Sequence, residues 1–235
     1  MPIIRQVLRN ILTRDEIRSL IFLEVVAGII FSYLSLILFQ FITTDVLQNE
    51  TILTDNLIAN FIISYRVAWL TNIMLILSLL GNEVIIFGSV IVIIFLTLKK
   101  HHRETFIFSI LLLMGTTLTT LLKLLYRIPR PFYEVLVKEN SYSYPSGHAL
   151  NSVLFYGAIS FFIYHFTKNR MTSALISTLS VFLIILIGIS RIYLGAHHPS
   201  DVAAGFIVGF WLLVTTILVD KTIIFFRLIR ESSRI

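Results

Sequence analysis

Apolar positions in this chain gather into long runs separated by short polar loops. The first run, Leu20 to Ile42, exceeds the roughly 20 residues that a helix needs to cross a bilayer and predicts a membrane span over about 20–42. It is longer than a signal-peptide core and no small-x-small site follows it, so it reads as a retained helix. Upstream, Ile3, Ile4, Val7, Leu8, Ile11 and Leu12 recur at helical spacing, with Arg5 and Arg9 off the stripe. That pattern predicts a helix lying in the membrane surface over 1–18.

Residues 43–68 are mixed. Leu53, Leu57, Ile58, Phe61, Ile62 and Tyr65 keep a spacing of three to four, which predicts a short interfacial helix with Thr54 or Asp55 as its start cap. The run Trp69 to Leu98 is too long for one simple span and is divided by Gly81-Asn82-Glu83. It predicts a shallow helix followed by a second span at about 83–98. Further spans are predicted at about 105–126, 147–167, 172–192 and 202–220. Between the third and fourth lies a loop, 127–145, with three prolines and several Tyr and Ser. The expected fold is all-α: an integral membrane bundle of about six transmembrane helices plus short interfacial helices. Its parts are an amphipathic N-terminus (1–19), a membrane domain (20–220, with an outer interfacial region at 43–80) and a basic C-terminus (221–235).

Composition agrees: 57% of the 235 residues are hydrophobic, 14% are charged, and mean hydropathy is +0.89. Soluble chains carry about 25% charged residues. The absence of cysteine excludes disulfides, thiolate metal sites and a cysteine-phosphatase mechanism. A net charge of +6 could suggest nucleic acid, but the basic residues sit in short loops beside apolar runs, so no nucleic-acid partner is expected. Six crossings put both termini on one side. That side holds thirteen of the 19 Lys and Arg, including Lys99, Lys100, Arg103, Lys168, Arg170 and Lys221, while the other holds Arg66, Lys123, Arg127, Arg130, Lys138 and Arg191. The excess of positive charge places the termini in the cytoplasm.

Three clusters then fall on the outer face: Lys123-x6-Arg130-Pro131 (123–131), Pro145-Ser146-Gly147-His148 (145–148) and Ser190-Arg191-x5-His197-x3-Asp201 (190–201). Three cations, two histidines and a carboxylate suit phosphoryl transfer, where fixed cations and oriented donors stabilise spread negative charge. His197 and Asp201, four apart, share a face on a helical segment. A carboxylate behind an imidazole fixes its tautomer and strengthens it as a nucleophile; the alternative is a histidine capping a helix end. Ser146 can cap the helix that follows, whose free N–H groups form an anion site, and Gly147 permits close approach. His148 can give a proton to a leaving group; the alternative is an ordinary Pro-Ser-Gly turn. Lys123, Arg130 and Arg191 are the phosphate-binding candidates, against simple snorkelling to headgroups. Arg127 is a candidate headgroup contact or a solvated loop charge, and His198 a surface neighbour. Asn82 and Glu83 mark a helix end, and Glu24 has no assigned role.

In their order, these clusters resemble the signature of the type 2 phosphatidic acid phosphatase superfamily, KxxxxxxRP, PSGH and SRxxxxxHxxxD, at every specified position. The resemblance covers roughly 50–220. It implies that His197 is the nucleophile, forming a phosphohistidine, that Asp201 orients it, and that His148 protonates the leaving group and later activates water. Lys123, Arg130, Ser146, Gly147 and Arg191 would hold the phosphoryl oxygens, with no metal and no cofactor. One departure is Arg127-Ile128-Pro129-Arg130-Pro131, where many relatives carry Arg-Pro-Arg-Pro.

The expected protein is therefore a multi-pass phosphatase of the cell membrane (plasma or inner). It acts at the outer face on a lipid phosphomonoester or diphosphate, such as phosphatidylglycerophosphate, phosphatidic acid or undecaprenyl diphosphate. Its partners would be that lipid and the bilayer. Two alternatives are a glucose-6-phosphatase-like enzyme of soluble sugar phosphates, which usually has more spans, and a non-catalytic lipid-binding or transport protein. A transporter would place its ionisable groups near the midplane, not at one interface.

Overall fold

The computed structural model describes residues 14–131, 134–167 and 169–232. Among them every regular element is a helix: α1 (Arg14–Leu47), α2 (Ile52–Ile63), α3 (Ala68–Leu80), α4 (Glu83–Leu98), α5 (His102–Tyr126), α6 (Gly147–Phe166), α7 (Arg170–Tyr193) and α8 (Pro199–Ser232). Six stretches are long and apolar enough to cross a membrane, with α3 and α4 together forming one of them, Ala68–Leu98.

The surface-helix expectation for 1–18 falls mostly outside the described residues. Its last part, from Arg14, belongs instead to the continuous helix α1, since no Gly or Pro interrupts Arg14 to Ser19. At the other end, α8 runs on to Ser232 without a break. The short helix expected within 43–68 is α2. Its N-cap is Thr51, without a side-chain cap bond; Asp55 is used elsewhere. The predicted division at Gly81-Asn82-Glu83 is the joint between α3 and α4.

The chain forms two compact units: Ser35–Leu213, and the described parts of 1–34 with 214–235. In the smaller unit, Glu24 accepts a hydrogen bond from Lys221 Nζ at 2.6 Å. This ion pair gives the carboxylate of the first span a partner that a linear reading cannot reveal.

The larger unit is organised around α6, which is buried on several sides. Leu150, Leu154, Phe155, Ala158 and Phe162 of α6 pack with Phe108 and Leu111 of α5, Ile85 and Leu96 of α4, and Val208 and Leu212 of α8. Large apolar residues elsewhere face outward: Phe87 is 70% exposed, Leu98 77% and Met171 82%. In water such exposure would be unfavourable; in a bilayer the hydrocarbon covers it, and close helix packing relies on small residues. Gly205 of α8 is an example. A Cβ there would lie 2.6 Å from the Ser146 carbonyl oxygen, so α8 meets the start of α6 at backbone distance.

Connectivity puts the chemistry at one end. The C-terminus of α5, the N-terminus of α6, the C-terminus of α7 and the N-terminus of α8 share that end. Lys123 is in the last turn of α5 and Arg191 in the last turn of α7. His148 is in the first turn of α6, and Asp201 in the first turn of α8.

Candidate active site

His197 sits in the short connection between α7 and α8 and is 1% exposed. Its Nδ1 lies 3.3 Å from Asp201 Oδ2. That oxygen also accepts the His198 backbone N–H at 2.8 Å and the Ser143 hydroxyl. Ser143 Oγ is itself 3.3 Å from His197 Nδ1. Asp201 is thus held from three directions and faces Nδ1 alone, which leaves Nε2 as the free face of the ring. On that side Arg130 Nη1 approaches to 3.4 Å, as a donor does toward an unprotonated nitrogen. Burial, then the Arg130 and Arg191 charges, push the His197 imidazolium well below the usual histidine range. The ring is therefore neutral across the physiological range.

The cations surround that free face. Arg191, with no exposed surface, donates through Nη1 to Ser78 of α3 and through Nη2 to Glu139 Oε1. Its Nε is buried without a partner. Arg130 donates to the Ala196 carbonyl at 2.6 Å, the Ser141 carbonyl at 2.7 Å and Glu139 Oε2 at 2.6 Å. Lys123 Nζ donates to the Tyr142 carbonyl at 2.6 Å and to Ser141 Oγ at 3.1 Å. His148 Nδ1 is 3.8 Å from Glu139 Oε1, and His197 Nε2 is 3.9 Å from Glu139 Oε2.

The start of α6 is tied into the same assembly. The Ser146 N–H donates to the Asp201 carbonyl at 3.0 Å, and Ser146 Oγ accepts from Ala149 N at 3.5 Å, capping the helix. A Cβ at Gly147 would meet only Thr119, at an ordinary contact distance of 3.4 Å. Seven of the sequence candidates (Lys123, Arg130, Ser146, His148, Arg191, His197 and Asp201) thus converge, with Gly147 between two of them. Arg127 does not join them: it is exposed, adopts φ +49° at the end of α5 and turns its Nε back to the Leu124 carbonyl at 3.1 Å.

Sequence reasoning counted one carboxylate in this cluster, and the structure corrects that to two. Glu139, from the irregular loop before Pro145, bridges both arginines. Burial alone would raise its carboxyl; the guanidinium charges of Arg191 and Arg130 outweigh that and hold it at about 2. Its sequence context, Val137-Lys138-Glu139-Asn140, reads as solvated loop and carries no spacing signal. Ser143, in the same loop, carries no signal either, and Ser78 is a lone serine within the apolar helix α3. Beside the site, a cavity of about 850 Å³ is lined by Thr116, Thr119, Lys123, Arg130, Glu139 and Asn151, among others.

Two arginines, a lysine and two imidazoles thus meet around Glu139 where the spans end. Residues 104–224 match the PAP2 superfamily, and the chain belongs to that family of membrane lipid phosphatases. Over 195 residues it is 31% identical to phosphatidylglycerophosphatase B of Bacillus subtilis, covering 82% of this chain and 94% of the relative. It is 29% identical over 161 residues to an undecaprenyl-diphosphatase of Sulfolobus acidocaldarius, covering 67% and 74%. The fold superposes on the crystal structure of a transmembrane PAP2-type phosphatidylglycerolphosphate phosphatase from Bacillus subtilis with a TM-score of 0.77 and 25% identity, covering 82% and 96%. It also superposes on Aquifex aeolicus LpxE with a TM-score of 0.56 and 23% identity, covering 68% and 92%; that match speaks for the fold alone.

Proposed function

We propose that this phosphatase hydrolyses a lipid phosphomonoester or diphosphate at the extracytoplasmic face through a phosphohistidine on His197. The observation that carries the reading is the anion seat: a carboxylate held by Arg130 and Arg191 with His197 Nε2 and His148 Nδ1 each within 4 Å of it. A phosphoryl group in that seat meets a neutral nucleophile on one side and, on the other, the His148 imidazole, whose protonation the incoming phosphoryl charge favours.

In the first step the lone pair on His197 Nε2 attacks phosphorus, and the bond from phosphorus to the leaving oxygen breaks. That oxygen takes a proton from His148. Asp201 stabilises the charge that develops on the His197 ring through Nδ1–H. In the second step His148, now neutral, accepts a proton from water as its oxygen attacks the phosphohistidine. The P–N bond breaks and inorganic phosphate leaves. Lys123, Arg130, Arg191, Ser146 and the N–H groups at the start of α6 bind the phosphoryl oxygens and the charge they gain. These side chains supply the neutralising charge, so a chelator is expected to leave turnover unchanged.

The substrate class follows from the site's place at the end of the spans. The cavity beside the seat is walled by α5, and the apolar Leu124 on that wall is exposed, which suits a head that enters while its tail stays in lipid. Phosphatidylglycerophosphate, phosphatidic acid and undecaprenyl diphosphate are the proposed candidates, in keeping with the relatives' names. The outward orientation is supported by Lys99, Lys100, Arg103 and Arg170, which lie at the opposite ends of the helices, where His101 packs on Phe166 at 4.5 Å.

The test is phosphate release by purified protein in excess EDTA, with those three lipids and glucose 6-phosphate. Release from lipids that vanishes in His197→Ala is expected. Preference for glucose 6-phosphate, or equal release by His197→Ala, would overturn the reading.

A further inference from the structure

Among the described residues, Glu139 is a half-buried charge beside the histidines that the proposed mechanism leaves without a task. Its two oxygens occupy the positions where two phosphoryl oxygens would be held, one on Arg191 and one on Arg130. It also lines the cavity beside the seat and so stands between that cavity and both imidazoles. A carboxylate fills the seat incompletely: it brings two oxygens where a phosphoryl group brings three, and the buried Arg191 Nε has no partner. Carboxylate and phosphoryl group cannot share it, because both need the same guanidinium donors and both are negative.

We infer that Glu139 is a built-in competitor for the phosphoryl seat, and that it selects substrates by the charge of their phosphate. This rests on the seat being the phosphoryl site of the preceding reading. As part of the chain, the carboxylate is present at high effective concentration. A phosphodiester lipid carries one negative charge, the same as Glu139, and gains nothing in attraction to the arginines by displacing it. A phosphomonoester with its second proton lost near neutral pH, or a diphosphate, brings more charge and a third oxygen, and displaces it. The phosphodiester lipids of the bilayer are thereby kept out of a strongly cationic site that touches them constantly. Chain position supports the mobility this needs. Glu139 lies in the irregular stretch between α5 and α6, so it can leave the seat without unwinding a helix.

The test is binding of orthovanadate, a phosphoryl analogue, by calorimetry on the full chain in detergent micelles, together with inhibition by phosphatidylmethanol, a phosphodiester lipid that the proposed reaction does not produce. Glu139→Gln is expected to bind orthovanadate at least tenfold more tightly than the native protein. It is also expected to become competitively inhibited by phosphatidylmethanol at surface fractions the native protein tolerates. Glu139→Asp, which keeps the charge but shortens the reach, is expected to fall between the two, and serves if the first variant does not fold. Unchanged or weaker orthovanadate binding in these variants, or a loss of kcat without any change in anion affinity, would overturn the inference and assign Glu139 to the chemistry itself. Orthovanadate binding needs no turnover. Failure of the native protein to hydrolyse any lipid phosphate would therefore overturn the functional reading while leaving the competition measurable.

Discussion

Asp55 of the short helix α2 accepts both the backbone N–H of Ser200, at 2.8 Å, and the Ser200 hydroxyl, at 2.7 Å. Ser200 is in the first turn of α8, between His197 and Asp201 in sequence. Helix α2 thus supplies the acceptor for free N–H groups at the start of α8, and so holds the segment that carries the proposed nucleophile. Asp55→Ala is expected to destabilise the protein by about 0.5–2 kcal/mol, the range for a lost helix cap. It should also lower kcat, because the His197–Asp201 segment loosens. Thermal unfolding in detergent and steady-state kinetics check both; a stable variant with full kcat would detach α2 from the site.

Ser143 completes the hydrogen bonding of the Asp201 oxygen that faces His197. Ser143→Ala removes that donor from a buried carboxylate. The expected cost is about 1–3 kcal/mol, or roughly 5- to 150-fold in kcat, with little change in the protein's secondary structure by circular dichroism. Asp201→Asn should lose more than Ser143→Ala, since it removes the charge as well. The reverse order would contradict the orienting role given to Asp201.

Gly205 allows α8 to touch the turn before α6. An alanine Cβ would fall 2.6 Å from the Ser146 carbonyl oxygen and 3.0 Å from Ala149 Cβ, and neither the turn nor the helix start can yield cheaply. Gly205→Ala is expected to push Ser146 to His148 away from His197, lowering both the unfolding temperature and the activity. Unaltered activity would show that the two helix starts need not meet so closely.

Much of this was legible in the chain because the functional side chains stand where apolar runs end. Lys123, His148, Arg191 and Asp201 are each within a turn of a helix terminus, so locating the spans also located the site. Glu139 was not legible. It lies in a loop without periodicity, beside Lys138, and only the three-dimensional course of that loop brings it to Arg191, 52 residues away. Asp55 was read as a cap for its own helix, because capping rules are local; its partner is 145 residues away. The length of α1 was underestimated because polar residues at 14–19 look like a boundary, although none of them breaks a helix.

The charge state of Glu139 sets an acid dependence. Its carboxyl is lowered from the ordinary 4.5 to about 2, so in that interval the unfolded chain binds a proton that the folded one does not. The stabilisation is fully present above about pH 4.5 and is lost as pH falls toward 2. Glu139→Gln should therefore melt below the native protein at neutral pH, with the gap closing between pH 4.5 and 2. Melting curves in detergent across that range check it; a gap that does not change with pH would remove the ion pairs as its cause.

The central claim is a covalent phosphohistidine on His197. The direct measurement is rapid quenching of the protein with a substrate labelled with radioactive phosphate, comparing the native chain, His148→Ala and His197→Ala. The account predicts an acid-labile, alkali-stable label on the protein that accumulates in His148→Ala, where water is no longer activated, and is absent in His197→Ala. Label retained in His197→Ala, or hydrolysis by the native protein with no label at any quench time, would contradict it.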